Sequence, residues 1–311
     1  MDFQSTEKEE WNEKSMDKKC FICGNCESIP KGSIGTYALK ECSHCGLQFI
    51  EPVPDQKRLK EIYSEYYKAW GIENSEKEVS HMKKKTFYDY IEAIREYAPT
   101  GRLLDVGCAT GEFMATAQEN GYDAYGVEIS PYGIDRCKAL FGEEKIIAHN
   151  LGKGDFPPDF FDVITLADVL EHIREPKPFI ETVWHILKPS GVLMIVTPNT
   201  SSWLKKVMGK NWPHYKEEHI YYYNSSNISN FSPNLFDKVV LNSAYKTLTL
   251  KYCLSVLNAY SRSGLVRGIA RLLDYLPCWL KLYPLKMNVG EMFVIFRKKY
   301  VYNNLNPSHI R

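Results

Sequence analysis

Two pairs of cysteines near the start of the chain have the spacing of a metal site. Cys20 and Cys23 are separated by two residues, as are Cys42 and Cys45, and a glycine follows each pair. Four thiolates spaced in this way suit tetrahedral zinc, and the glycines allow sharp turns that aim backbone N–H groups at sulfur. Because four thiolates leave no open coordination position, the zinc is expected to be structural. Residues 20–50 are too few to bury a core, so metal binding would supply their folding energy.

Other arrangements of these cysteines stay open. Cys26 and His44 are reserve ligands, since Cys23 and Cys26 have the same spacing as the other pairs. Disulfides or buried free thiols are the alternatives, but a reducing compartment opposes disulfides, and buried thiols do not account for the paired glycines. We expect the zinc module to have a core separate from that of the rest of the chain. Four scattered cysteines are predicted to be structural: Cys108, Cys137, Cys253 and Cys278.

Acidic and histidine side chains form a second group that could do chemistry. Asp168, Glu171 and His172 follow an apolar run and are predicted to begin a helix, on which they would share one face. A further cluster at residues 212–223 contains His219. A histidine can take a proton from a hydroxyl, whereas acids and histidines together can hold a divalent ion that lowers the pKa of that hydroxyl. Helix capping by the two acids and a half-buried structural histidine are the alternative interpretation.

A glycine-rich turn marks the elements that would position these groups. Residues 102–106 have the pattern of a buried strand, and a helix is predicted to start near Gly111. Asp105 lies at the carboxyl end of that strand, where open α/β sheets bind ligands, and Gly107 lets the backbone approach a ligand closely. A second predicted strand ends in Glu128, whose carboxylate can accept hydrogen bonds from both hydroxyls of a ribose.

Two later segments continue the alternation of strands and helices. Residues 161–172 are predicted to be a strand running into a helix, and residues 186–196 a helix end, a turn and another strand. Together with the glycine turn, this series resembles the class I S-adenosylmethionine-dependent methyltransferases over residues 100–299. The resemblance implies an α/β fold with a Rossmann-like seven-stranded sheet, helices on both faces, and a last strand, residues 290–297, that runs antiparallel.

The same resemblance implies where S-adenosylmethionine binds. Its methionine part would lie near the glycine turn, its ribose at the acid that ends strand two, and its adenine beside the residues after strand three. The cofactor-binding residues implied in this way are Asp105, Gly107, Cys108, Ala109, Gly111, Glu128, Ile129, Asn150, Leu151 and Ala167.

Two shorter resemblances concern the reaction. The D-x-x-E-H pattern at Asp168, Glu171 and His172 is similar to the E-x-x-E-H of ubiquinone-pathway and small-RNA O-methyltransferases, whose acids and histidines hold a divalent metal. Asp168 is shorter than that first glutamate, so a direct base is preferred to an active-site divalent ion. The E-E-H-x-Y-Y run at residues 217–222 resembles a loop of deoxysugar C-methyltransferases, in which histidine and tyrosine carry out proton chemistry. His219 is therefore the first candidate base, and the catalytic candidates are His219, His172, Asp168, Glu171 and Tyr222.

The chain is expected to consist of a small module, a helical bridge and one large domain. This order resembles the zinc-containing methyltransferases of carbohydrate and natural-product pathways. Within the bridge, helices are predicted at residues 56–67 and 79–97. The predicted parts are a disordered tail at 1–19, the zinc module at 20–50, the bridge at 51–99, the methyltransferase domain at 100–299 with insertions at about 199–235 and about 254–288, and a tail at 300–311.

The second insertion is predicted to be helical and contains an apolar stripe, made of Leu265, Ile269, Leu272 and Leu276. Packing of this stripe on the protein itself, or on the second subunit of a homodimer, is the preferred interpretation. The alternative is an interfacial helix in peripheral contact with a membrane that carries the acceptor.

Composition limits the class of protein and the kinds of partner. Hydrophobic residues make up 44% of the chain and charged residues 25%, which is typical of a globular protein. The net charge of +1 creates no field that favours nucleic acid or an anionic membrane. No apolar run approaches membrane-spanning length, and the first residues lack the order of a signal peptide, so we expect a cytoplasmic protein.

These observations predict an S-adenosylmethionine-dependent methyltransferase acting on a small polar acceptor. O-methylation of a sugar or sugar-like hydroxyl is the first choice, C-methylation of a nucleotide-linked deoxysugar the second, and O-methylation of a quinone or lipid-linked acceptor the third. Amine methyltransferases acting on nucleobases typically carry N-P-P-Y or a relative after strand four, where residues 167–170 read A-D-V-L. A noncatalytic cofactor-binding scaffold is disfavoured, because Asp105, Gly107, Gly111 and Glu128 are all in place.

Overall fold

The computed structural model describes residues 19–55, 58–59, 72–260 and 264–300. The predicted tails and most of the helix predicted at 56–67 lie outside those residues. The strands and helices are, in chain order, β1 (Ser28–Ile34), β2 (Tyr37–Cys42), β3 (Gln48–Glu51), α1 (Ile72–Arg95), β4 (Gly101–Val106), α2 (Glu112–Glu119), β5 (Tyr122–Val127), α3 (Pro131–Phe141), β6 (Ile146–Ile147), β7 (Phe161–Ala167), α4 (Pro176–Ile186), β8 (Leu187–Pro198), α5 (Trp203–Met208), β9 (Tyr221–Tyr222), α6 (Ser225–Ser229), β10 (Phe236–Ser243), β11 (Lys246–Thr249), α7 (Leu250–Tyr260), α8 (Gly264–Asp274), α9 (Cys278–Lys281), β12 (Pro284–Met287) and β13 (Glu291–Lys298). Short 3₁₀ helices span Glu143–Lys145, Leu170–His172 and Gly209–Asn211.

Seven strands form the central sheet, in the order β10-β13-β8-β7-β4-β5-β6. Strand β13 runs antiparallel to both of its neighbours, and the strands from β8 to β6 pair in parallel. Helix α4 packs into the core on one face, and helices α1, α2 and α3 pack into the core on the other. Because both faces are covered, the central strands are apolar at nearly every position. The predicted Rossmann-like sheet with an antiparallel last strand is confirmed.

The N-terminal module is built into the large domain. Strands β1, β2 and β3 form an antiparallel sheet whose fourth strand is β9, which comes from the first insertion. Cys42 and Leu47 of the module belong to the same buried core as Leu104 and Val106 of β4. The expectation of two separate cores is therefore wrong. So small a module cannot bury its apolar side chains among themselves, and they are buried against the domain instead.

The helix predicted to begin at Asp168 is also absent. Asp168 has a left-handed backbone with φ of 58°, residues 170–172 form a single 3₁₀ turn, and α4 begins only at Pro176. Proline disfavours the helical region for the residue before it, and Glu175 accordingly lies at φ −120° and ψ 78°. Asp168, Glu171 and His172 therefore do not share a helix face.

The second insertion projects from the β11–β12 hairpin. Its helices α7, α8 and α9 lie between these two antiparallel strands. Leu272 of the predicted apolar stripe is 71% exposed, while Leu276 is half-buried. Among the described residues, no helix is both long and apolar enough to cross a membrane.

Candidate active site

The glycine turn after β4 is held against the end of β5. The backbone N–H groups of Gly107 and Cys108 both donate to the carbonyl of Val127, at 2.8 and 3.0 Å. Gly107 has φ of 74°, and a Cβ atom there would lie 2.6 Å from a methyl of Val169. Only glycine meets both conditions, because other residues rarely adopt this conformation and any side chain would collide. The turn thus brings its backbone to the carboxyl edge of the sheet.

Asp105 is buried directly beneath this turn. Its side chain is 3% exposed, and its Oδ1 accepts a 2.7 Å hydrogen bond from the hydroxyl of Thr165 on β7. Burial raises the pKa of Asp105 to about 7, and the nearby charge of Glu128 adds to the shift. A cationic ligand at this edge would favour the ionised form of Asp105.

Glu128 connects the glycine turn to the start of α3. Its Oε2 accepts from the N–H of Ala109 at 2.8 Å, and its Oε1 accepts from the N–H groups of Ile129 and Ser130 at 2.9 and 2.7 Å. The carboxylate is 6% exposed and lies at the tip of β5, as predicted. It shapes the turn as well as presenting an oxygen to a ligand.

The remaining predicted cofactor residues lie at or beside the same edge. Ala167 ends β7, Asn150 and Leu151 follow β6, and the side chain of Ile129 is 52% exposed. The thiol of Cys108 points into the core, where its sulfur lies 3.8 Å from that of Cys137. A donor set of two carboxylates, a tight turn of backbone N–H groups and an exposed apolar side chain fits a ligand that carries a positive charge and a ribose.

Glu171, His172 and His219 form a compact cluster next to these residues. One possible ligand atom from each lies within 4.8 Å of the others, and the two imidazole rings meet edge to face at 4.7 Å. Glu171 Oε2 accepts a 3.0 Å hydrogen bond from Thr197, and the Nδ1 of His172 lies 2.9 Å from the carbonyl of Glu218. The 3₁₀ turn after β7 carries the first two residues, and the first insertion carries His219.

Two buried atoms of this cluster have no hydrogen-bond partner among the described residues, Glu171 Oε1 and His219 Nδ1. Burial raises the pKa of Glu171 to about 8, and the charge of Asp168 contributes. Burial also lowers the pKa of His172 to about 4 and that of His219 well below its usual value. Both imidazoles are therefore neutral at pH 7, the state in which an imidazole can accept a proton or bind a cation.

Two predicted catalytic residues have other partners. Asp168 Oδ2 accepts a 2.8 Å hydrogen bond from Lys246, which bonds Glu291 at the same distance. Although partial burial disfavours its charge, Asp168 is 46% exposed and the ammonium of Lys246 holds its pKa below the usual range. The hydroxyl of Tyr222 is used within its own loop, donating to the carbonyl of Lys216 at 2.8 Å.

Sequence reasoning missed three side chains that support this edge. Thr197 orients Glu171, and Lys246 donates to both Asp168 and Glu291. Glu291 is 3% exposed, its Oε2 has no partner among the described residues, and burial raises its pKa to about 7. The sequence pattern could have identified Glu291, because it is an acid at the start of the otherwise apolar strand β13. No comparable local pattern identifies Lys246.

The four predicted zinc ligands meet at one point. The sulfur of Cys20 lies 3.6 Å from that of Cys45, the sulfur of Cys23 lies 3.6 Å from that of Cys42, and all four are within 4.8 Å of one another. Tetrahedral zinc with bonds of about 2.3 Å requires sulfur separations of about 3.8 Å, so the donor set fits the metal. The reserve ligands Cys26 and His44 are both exposed and outside this group. The glycines after the two pairs have left-handed backbones, as the turns require.

Comparison with known proteins agrees with this geometry. Residues 81–231 match a family model described as a methyltransferase domain. The mitochondrial ubiquinone biosynthesis O-methyltransferase of Schizosaccharomyces pombe is 25% identical over 144 residues, which is 43% of this chain and about half, 53%, of that protein. The ubiquinone biosynthesis O-methyltransferase of Dechloromonas aromatica is 25% identical over 214 residues, covering 64% of this chain and 91% of the relative.

A solved structure shows the same fold. It is the complex between the Haloferax volcanii Trm112 methyltransferase activator and a methyltransferase, and one of its chains matches with a TM-score of 0.51 and 13% identity, over 75% of this chain and 97% of the other. The family match, the relatives and the seven-stranded sheet with its antiparallel last strand converge on one enzyme class. The chain is an S-adenosylmethionine-dependent methyltransferase with a domain of the class I fold.

Proposed function

We propose that the enzyme transfers the methyl group of S-adenosylmethionine to a hydroxyl oxygen of a small aromatic acceptor of the quinol type. The observation that carries the proposal is the cluster of Glu171, His172 and His219 beside the cofactor residues. The names of the curated relatives favour a quinone-pathway acceptor, the third of the expected classes, over the sugar hydroxyl that was the first choice. C-methylation of a deoxysugar receives no comparable support.

The cofactor is assigned to the edge formed by Asp105, the glycine turn and Glu128. Glu128 would accept a hydrogen bond from a ribose hydroxyl, and the turn would bring backbone N–H groups to the methionine part. The Asp105 carboxylate beneath the turn would offset the positive charge of the ligand. Asn150, Leu151 and Ile129 are assigned to the adenine side.

The acceptor hydroxyl is assigned to the Glu171 cluster. The oxygen and two nitrogens there, with two buried atoms unpartnered among the described residues, match the mixed donors that a divalent transition-metal ion such as Mn²⁺ or Fe²⁺ accepts. Such an ion would lower the pKa of a bound hydroxyl. Thr197 would orient Glu171, and the carbonyl of Glu218 would accept a hydrogen bond from Nδ1–H of His172 and so orient its ring.

Direct proton removal by His219 is the second candidate mechanism. The sequence favoured it because Asp168 is short for a metal ligand, yet the structure places Asp168 on Lys246 and outside the cluster. The length of Asp168 therefore does not decide between base and metal. Three convergent ligands favour the metal.

Turnover with a hydroxylated aromatic acceptor tests the proposal. We expect a chelator, used at a concentration that leaves the zinc content unchanged, to abolish methylation, and Mn²⁺ to restore it. His219→Ala should lower turnover about 10²- to 10⁴-fold and leave the affinity for S-adenosylmethionine nearly unchanged. His81→Ala, at an exposed histidine on α1, is the control. Activity that survives the chelator but not His219→Ala would establish the base mechanism, and full activity in both would refute both mechanisms.

A further inference from the structure

The contacts between the N-terminal module and the first insertion extend to the active site. We propose that the zinc-bound module is a positioning device that holds His219 against Glu171 and His172, so that zinc controls the reaction centre without controlling the cofactor site. This inference rests on the proposed function for the importance of His219 in turnover. The structural coupling itself stands on contacts that do not depend on that role.

The first contact is a backbone connection through β9. Gln48 and Phe49 of β3 pair with β9 in antiparallel register, and the N–H of Ile50 donates to the carbonyl of Ile220 at 3.1 Å. The N–H of Ile220 in turn donates to the carbonyl of Glu171 at 2.8 Å. The residue after His219 is thus hydrogen-bonded to the module on one side and to the catalytic cluster on the other.

The second contact is made by Phe21, which lies between the ligands Cys20 and Cys23 in the chain. Its ring packs edge-on against Tyr221 at 4.9 Å between centroids, and it also meets the rings of Tyr223 and Phe231 at 6.4 and 6.3 Å. Coordination of both cysteines by one metal would fix the backbone on either side of Phe21. The strand that follows His219 therefore rests on a side chain whose position the zinc sets.

The third contact involves the other zinc-binding turn. Asn224 donates from Nδ2 to the carbonyls of Cys45 and Gly46, both at 3.2 Å. Its Oδ1 meanwhile accepts from two backbone N–H groups at the start of α6. A Cβ atom at Gly46 would lie 2.9 Å from Asn224 Nδ2, so the Asn224 side chain lies directly against the Gly46 backbone. The chain just after β9 is clamped to the second cysteine pair.

A fourth contact lies before His219 in the same insertion. The hydroxyl of Tyr215 donates to Gln48 Oε1 at 2.7 Å, and Arg58 pairs with Glu217 at 3.2 Å. Residues on both sides of His219 are therefore tied to the N-terminal part of the chain. By contrast, Asp105 and Glu128 take their hydrogen bonds from Thr165 and from the backbone around the glycine turn.

Loss of zinc should therefore disturb the position of His219 and leave the proposed cofactor site unchanged. Four partly buried thiols without a metal do not hold the two cysteine turns together, because coordination of all four sulfurs by one ion would be what joins them. Release of β3 and of the second turn would remove the contacts above from the loop that carries His219. The cofactor site would keep its contacts, because they lie within the large domain.

Hydrogen exchange followed by mass spectrometry tests the coupling without any acceptor or turnover. We expect the purified, reduced protein to contain one zinc per chain. On zinc removal, or in Cys42→Ser, amides at 212–224 should exchange at least about tenfold faster, while those at 103–128 should change by less than about twofold. Affinity for S-adenosylmethionine should stay within about threefold, and turnover should fall as far as in His219→Ala.

Asn224→Asp is a second variant that tests the same coupling, and it remains informative if Cys42→Ser fails to fold. Aspartate keeps the cap of α6 but cannot donate to the two carbonyls of the zinc turn. This variant should retain its zinc, exchange faster at 212–224 and lose turnover, with an unchanged KM for S-adenosylmethionine. Asn230→Asp, the same substitution at a side chain that donates only within α6, is the control and should match the wild type.

Two results would overturn the inference. One is freshly reduced protein that contains no zinc. The other is exchange at 212–224 that stays at the wild-type rate after zinc removal or in Asn224→Asp. Because exchange is measured without turnover, these results are distinct from failure of the proposed function, which would appear as full activity of His219→Ala alongside faster exchange in the zinc-free protein.

Discussion

Replacement of Glu128 by glutamine isolates the contribution of one carboxylate oxygen to cofactor binding. A carboxylate offers about four acceptor positions. Backbone N–H groups occupy two on Oε1 and one on Oε2. One position on Oε2 is left for a ribose hydroxyl, whereas the sequence alone suggested that both hydroxyls could be bound. A single hydrogen bond to a charged acceptor contributes about 1.5–3 kcal/mol, so Glu128→Gln should weaken binding about 10- to 150-fold.

Calorimetric titration with S-adenosylmethionine measures this change. The bond to Ala109 is also lost in the variant, but it is present in free and bound protein alike and largely cancels from the affinity. Glu119→Gln, at an exposed acid on the end of α2, is the matched control and should bind like the wild type. Wild-type affinity in Glu128→Gln would refute the ribose assignment. An equally large loss with a 2′,3′-dideoxy analogue would show that the carboxylate acts only through the turn.

Three further outcomes follow from the charges and exposures at the edge of the sheet. Burial raises the pKa of Asp105 to about 7, so a cationic cofactor that favours its ionised form should release a proton on binding below about pH 7. Affinity should then rise with pH until about 7, and calorimetry in buffers of different ionisation enthalpy should show no such release in Asp105→Asn. Asp168→Asn should leave Mn²⁺ affinity within about threefold of the wild type, because this side chain is bound to Lys246; a loss of more than about tenfold would make it a ligand. If the second insertion contacts a membrane, flotation with anionic vesicles should fall in Trp279→Ser, at a side chain that is 72% exposed, but not in Trp203→Ser, a control at 59% exposure. Protein that never floats would remove the membrane interpretation.

The geometry at the edge proposed for the cofactor could be predicted because its signals are local. A buried strand, a glycine turn and an acid ending the next strand occupy a short stretch of chain, and parallel strands bring their carboxyl ends together. The same holds for Cys20, Cys23, Cys42 and Cys45, whose paired spacing predicts the convergence of sulfurs seen in the structure.

The acceptor half could be predicted only in part, because its partners come from distant strands. The sequence singled out Glu171, His172 and His219, but it assigned the first two to a helix that Pro176 delays. Asp168 was grouped with them on spacing alone. Its partner in the structure, Lys246, lies 78 residues further along the chain, and no local sequence pattern predicts such a pairing.

The sequence predicted where the zinc module lies in the chain, but not how it packs against the methyltransferase domain. Its strand β3 gives no sign in the sequence that it will pair with β9, which is only two residues long. Non-local strand pairing of this kind depends on the final positions of both elements, which periodicity does not encode.

The hairpin of β11 and β12 has a consequence for how the enzyme can change. Thr249 and Pro284 are partners in its register, so residues 250–283 leave the domain and return to it at neighbouring points. Insertions whose ends lie close together tolerate replacement, because the strands that receive them keep their register whatever lies between. Lys246, at the other end of the hairpin, contacts Asp168 just after β7. Evolution or design can therefore exchange this segment as a unit, while the central sheet and its glycine turn stay as they are.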